Sequence, residues 1–251
     1  YQNSIWGWPE DRERMSIAQL KHWHHRWYVP NNVSISAIGP IPFSQLKERL
    51  RYYAAPLEKR PSFRGFVLPS KQGNQGFATL YSASQSSKNP TIMVGFKAPK
   101  LLDNLNPKWI YNLTVLNTIL HRIPNPLILS SIREAVTTSG AYNPWLRHEG
   151  LFWFRITGST NQSVKSLLKD THDMVNHLDL LLSEKTLRLA KRTLQHDADI
   201  RESDPTKTLK QMRLASTLGL TQNRVTQMNQ GEQSVDLPSL KETAKRYLNW
   251  S

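Results

Sequence analysis

Three histidines crowd one short stretch, His22, His24 and His25, and His177 stands four residues after Asp173. Imidazoles and carboxylates are the raw material of a zinc site, in which three side chains hold the ion and a further carboxylate activates its water. The spacing does not assemble one here. His22 and His25 can share a helix face, but no acid or third ligand follows at a helical interval. None of the eight histidines lies in His-x-x-Glu-His or His-Glu-x-x-His. The expectation is an exposed, histidine-bearing helix face for the first group and a surface hydrogen bond for Asp173 and His177. The chain has no cysteine, which removes thiolate nucleophiles, disulfides and Cys-ligated zinc together.

The elements that would carry such residues are legible in part. The chain has 251 residues, 38% of them hydrophobic, enough for one large or two smaller domains with real cores. Its net charge of +14 is spread along the sequence and forms no basic run interleaved with aromatics, so nucleic acid is not expected as a partner. No apolar run reaches the roughly 20 residues of a membrane span. Ser16-Ile17-Ala18-Gln19 has the form of a capping box, and Ile17, Leu20, Trp23 and Trp27 follow at helical spacing until Pro30-Asn31-Asn32 stops the helix. Residues 33–38 alternate as a half-buried strand does, and a second helix is expected from Phe43 to about Tyr53. Turn formers dominate 61–76, which reads as a linker.

Beyond it the pattern predicts strands at 77–82 and 91–96, a helix after Asn106-Pro107 and a shorter helix over 127–137. A hairpin of strands at 141–146 and 151–158 follows, then helices over 163–182, 184–201, 205–218 and 238–248. Strands in hairpins and helices in blocks argue for α+β layers and against a doubly wound parallel sheet. A weak repeat is also present: Met15 to Tyr28 resembles Val235 to Leu248 in its capping residue, its Leu-Lys pair and its final basic-aromatic cluster. The repeat predicts two related domains.

The run Trp27-Tyr28-Val29-Pro30-Asn31-Asn32, continuing through Val33 to Gly39, resembles the helix end, Tyr-x-Pro-x-Asn turn and apolar strand of the pitrilysin/insulinase family of zinc metallopeptidases. Leu116 to Leu120, Ile132-Arg133-Glu134 and Ser139-Gly140-Ala141-Tyr142 resemble its long helix, its Leu-Arg-Glu helix end and its Gly-x-Ala-Tyr strand entry. That resemblance implies two related layered α+β domains with antiparallel or mixed sheets covered by helices. The first (1–60) is incomplete and the second (77–251) is non-catalytic. It places the zinc ligands upstream of the region matched by residues 1–39, so no zinc is expected on this chain; the ion belongs to a catalytic domain or partner. A final strand after Ser251 is likewise expected to be missing.

The resemblance also assigns Arg133 and Tyr142 to substrate binding, since a guanidinium and a phenol can donate to a peptide carbonyl. Their interval is longer than the family's usual one, with Thr137-Thr138 as the extra pair. The functional reading is one wall of a peptide-holding chamber in such a peptidase. The alternatives are an inactive partner of a separate catalytic subunit, or a DNA-binding protein with a helix-turn-helix. For the last, Leu214 to Met228 resembles a phage-repressor motif, with Gln222, Asn223 and Arg224 on its recognition helix. The partners implied are a peptide substrate and either a catalytic domain or subunit or a second copy of the chain.

Overall fold

The computed structural model describes residues 6–58, 89–103, 106–146 and 150–250. These fall into two units, one within residues 1–69 and one within 70–251. The expected linker (61–76) and the strand at 77–82 lie outside the described residues.

In the first unit, α1 (Pro9–Glu13) leads to α2 (Ile17–Trp27), a 3-10 turn (Pro30–Asn32) and α3 (Phe43–Ala54). The capping box forms as expected: Gln19 N–H donates to Ser16 Oγ at 3.2 Å, and Ser16 N–H donates to Gln19 Oε1 at 2.8 Å. The stop after Trp27 has a local cause, because Asn32 Nδ2 donates to the Trp27 carbonyl at 2.9 Å, satisfying an orphaned acceptor of the helix end. The strand expected over 33–38 does not form. Val33 is extended, but no described residue pairs with this stretch, and Val33, Ile35 and Ile38 are exposed. Alternation says which side of a strand could be buried; a ladder also needs a neighbour to take its N–H and C=O groups.

In the second unit the strands are β1 (Thr91–Ala98), β2 (Ala135–Tyr142) and β3 (Gly150–Gly158), antiparallel in the order β1-β3-β2. The helices are α4 (Lys108–His121), α5 (Leu127–Ser131), α6 (Val164–Asn176), α7 (Leu178–Leu181), α8 (Glu184–Ser203), α9 (Pro205–Thr217), α10 (Gln222–Ser234) and α11 (Leu237–Tyr247). None of them is long and apolar enough to cross a membrane. α4 is the hub. Leu113, Val115, Leu116, Ile119 and Leu120 are fully buried, so the helix is covered on nearly every side by β2, α5, α8, α10 and α11. From the sheet, Ile92 and Val94 of β1 and Phe152, Phe154 and Ile156 of β3 point into the same core, one residue in two. Each such side chain contributes about 1.5–3 kcal/mol of burial.

Two polar side chains and one backbone carbonyl knit α4 to α11. Asn112 Nδ2 donates to the Ser239 carbonyl (3.0 Å) and to Thr243 Oγ1 (2.7 Å), and Thr243 Oγ1 donates to the Ser239 carbonyl (2.8 Å). The internal repeat is structural as well. α2 and α11 are both 11 residues long and begin after capping Ser16 and Asp236. They end at Tyr28 (φ −89°, ψ 71°) and Leu248 (φ −112°, ψ 67°). Their apolar faces differ: Leu240 and Ala244 are buried, whereas Leu20 is 51% exposed.

Element boundaries around β2 depart from expectation. The helix after Pro126 ends at Ser131, Ile132 is extended, Glu134 sits at φ 61°, and the strand starts at Ala135, six residues earlier than expected. Val136, Thr137 and Thr138 explain this, since β-branched side chains lose rotamers in a helix and suit a strand. The helix expected over 163–182 breaks at His177, whose Nδ1 hydrogen-bonds the Asp173 carbonyl at 2.8 Å. The turn expected at 147–150 lies mostly outside the described residues.

Candidate functional site

Arg133 lies in the three-residue link between α5 and β2. The link is fixed from the side by the turn after β3: Ser159 Oγ donates to Glu134 Oε2 (2.7 Å), Ser159 N–H to the Glu134 carbonyl (2.9 Å), and Gln162 Nε2 to the Arg133 carbonyl (3.1 Å). The guanidinium is exposed on this corner and pairs with no described carboxylate. Glu134's left-handed backbone costs about 1–2 kcal/mol, a strain the three hydrogen bonds offset.

Tyr142 closes the other end of β2. Its ring is 8% exposed and lies over Phe152 with centroids 6.0 Å apart; its hydroxyl donates to the Pro99 carbonyl at 2.6 Å. Burial pushes the phenol above its ordinary range, so it stays protonated and donating. With Leu101 N–H bonded to the Pro144 carbonyl (3.0 Å), it ties the segment after β1 to the end of β2. A strand advances about 3.3 Å per residue, and all of β2 separates the two residues. Arg133 and Tyr142 are therefore not brought together.

A half-buried histidine and a buried glutamate were not singled out from sequence. His121, at the C-terminal end of α4, lies under β2: its Nδ1 is 3.1 Å from Thr138 Oγ1, while Nε2 is buried and has no partner. A Cβ on Gly140 would meet that nitrogen. Burial pulls the imidazole from 6.5 to about 4. One turn earlier, Asn117 Oδ1 is also buried and unpartnered. Glu232, on α10, is 8% exposed and faces Arg201 and Asp197 of α8 and Arg122 at the end of α4. Burial pushes its carboxyl from 4.5 to about 7, with Asp197 adding to the shift and the two arginines opposing it. For His121 the available signal was polar residues, Asn112, Asn117 and His121, on the largely apolar α4; α10 is polar along most of its length and marks Glu232 in no such way.

No three histidines or carboxylates converge among the described residues. His22, His24 and His25 stand along exposed α2, where His24 stacks on Tyr28 at 4.6 Å. This donor set does not fit zinc, which takes three or four converging ligands. The helix pair suspected of DNA binding does exist: α9 turns at Gly219 (φ 72°) into α10. One face of α10, with Met228, Gly231, Glu232 and Val235 near its end, is buried against α4 and α8. Gly231 lies directly on the Tyr111 ring.

The family profile described as "Peptidase M16 inactive domain" matches residues 14–194. No curated protein sequence matches. Among solved structures, a protease from Helicobacter pylori superposes with a TM-score of 0.78 at 15% identity, over 96% of this chain and 58% of its own. The peptidase M16 inactive domain from Pseudomonas fluorescens gives 0.74 at 17%, over 97% and 57%. A chain of Complex III2 from Candida albicans gives 0.73 at 14%, over 98% and 59%. The chain thus spans somewhat more than half the length of these relatives. Fold and donor set together define an α+β protein that carries no cluster of three histidines or carboxylates among the described residues. The chain belongs to the peptidase M16 family, as a representative of its inactive domain.

Proposed function

We propose that this chain is the non-catalytic wall of a peptide-holding chamber, completed by a zinc-bearing M16 domain on the same or another polypeptide. The observation that carries the reading is the match of residues 14–194 to the inactive domain, on a chain whose described histidines and carboxylates gather nowhere in threes. Such a wall needs to hold peptide, not to cut it. β2 supports this role, since among the described residues it pairs only with β3 and leaves one edge for an extended segment. Arg133, fixed at the start of that edge, is the proposed direct contact. Tyr142 contributes a second donor when peptide displaces the Pro99 carbonyl.

The alternative is an interaction-only subunit, favoured by the likeness to a chain of Complex III2 from Candida albicans. Mixing the chain with a domain that carries His-x-x-Glu-His separates the two. The chamber reading expects peptide cleavage to rise on mixing, and Arg133→Ala to raise KM several-fold at nearly constant kcat. Complex formation with no gain in cleavage favours the interaction-only role.

A further inference from the structure

The first half of α8 carries four cations, Lys185, Arg188, Lys191 and Arg192, between Glu184 in its first turn and the later acids Asp197, Asp199 and Glu202. Three of the four, Arg188, Lys191 and Arg192, line a groove of about 400 Å³ together with Gln195 and Gln233 of α10. None of the three forms an ion pair with a described carboxylate. The far wall is fixed in place, because Gln233 Nε2 donates to the Lys191 carbonyl at 3.0 Å.

We propose that this groove is a docking site for an extended acidic segment of a partner protein, with carboxylates at alternate positions. Arg188 and Arg192 stand one turn apart, about 6 Å along the helix axis. In an extended peptide, residues i and i+2 project to one side about 6.6 Å apart. Two carboxylates in an acidic-x-acidic run can therefore each meet one guanidinium, while Lys191 lies between the turns. Gln195 Nε2 donates to Asp199 Oδ1 at 2.8 Å and Gln233 Nε2 to the Lys191 carbonyl, which leaves their amide oxygens to accept from a peptide N–H. Nucleic acid fits less well: the groove has no aromatic lining on which bases could stack. The proposal is independent of the chamber reading, since it concerns a different surface and a different ligand.

The test is fluorescence anisotropy of the full chain with a labelled Glu-Ser repeat peptide, beside a Gln-Ser repeat and a single-stranded DNA of similar length. Because the whole protein is basic, the control is a charge-matched pair elsewhere: Lys165 and Lys169 line a separate groove of about 610 Å³ beside Trp250. Arg188→Gln with Arg192→Gln should weaken Glu-Ser binding at least tenfold, with Lys165→Gln and Lys169→Gln leaving it within about twofold. Equal losses from the two pairs, equal binding of the Gln-Ser peptide, or preference for DNA would each overturn the proposal. All four residues are exposed, so unchanged circular dichroism should accompany either pair.

Discussion

Glu232 and His121 titrate in opposite senses, and the pH dependence of stability should reveal both. Glu232 moves from 4.5 up to about 7 on folding, so the native state binds the extra proton between those values. Its stabilising contribution is present below the unfolded value and is lost as pH rises through the folded one. His121 moves from 6.5 down to about 4, so the unfolded state binds the extra proton and stability is lost as pH falls through that window. At 1.36 kcal/mol per pH unit, each group should change stability by about 2 kcal/mol between roughly pH 5 and pH 7, with opposite signs. The two nearly cancel in the parent protein, whose stability should be almost flat there. Glu232→Gln keeps the shape and removes one titration, so stability should then rise with pH by about 2 kcal/mol. His121→Asn should show the mirror-image fall. Urea unfolding followed by circular dichroism at several pH values reads these slopes, and the slope is informative even where a variant loses overall stability. A Glu232→Gln profile as flat as the parent's would overturn the assignment of Glu232 as a buried, neutral acid.

Tyr142→Phe should cost about 1–3 kcal/mol, because the Pro99 carbonyl loses its donor in a buried setting. Hydrogen exchange at Leu101, whose N–H bonds the Pro144 carbonyl in the same tie, should quicken. Unchanged exchange there would argue against a latch at the end of β2. Gly140→Ala should destabilise by about 1–3 kcal/mol, since its new methyl would meet both His121 and the rigid Trp153 carbonyl; a neutral thermal midpoint would show that β2 can retreat from α4.

Local signals were the legible part of this fold. Ser16 with Gln19, and Asp204 with Pro205, declare helix starts through contacts within three residues, and both caps form. Periodicity places β2 too late because, among the described residues, it is an edge strand with exposed Val136, Thr137 and Ser139, so no period-two apolar signal marks it. Its identity comes from pairing with β3, which sequence periodicity does not encode. Arg133 could be named from its neighbours, but Tyr142's partner lies 43 residues away, at Pro99. The burial of His121 and Glu232 likewise depends on which helices pack over them. Chemistry of that kind becomes visible only after assembly.

Zinc-dependent peptide cleavage is the most direct probe of the chamber wall. A quenched-fluorescence peptide library is incubated with this chain plus zinc, then with an M16 domain bearing His-x-x-Glu-His, then with both. The expectation is no turnover by the chain alone and more turnover by the mixture than by the zinc-bearing domain alone. Cleavage by the chain alone that a chelator abolishes and zinc restores would contradict it.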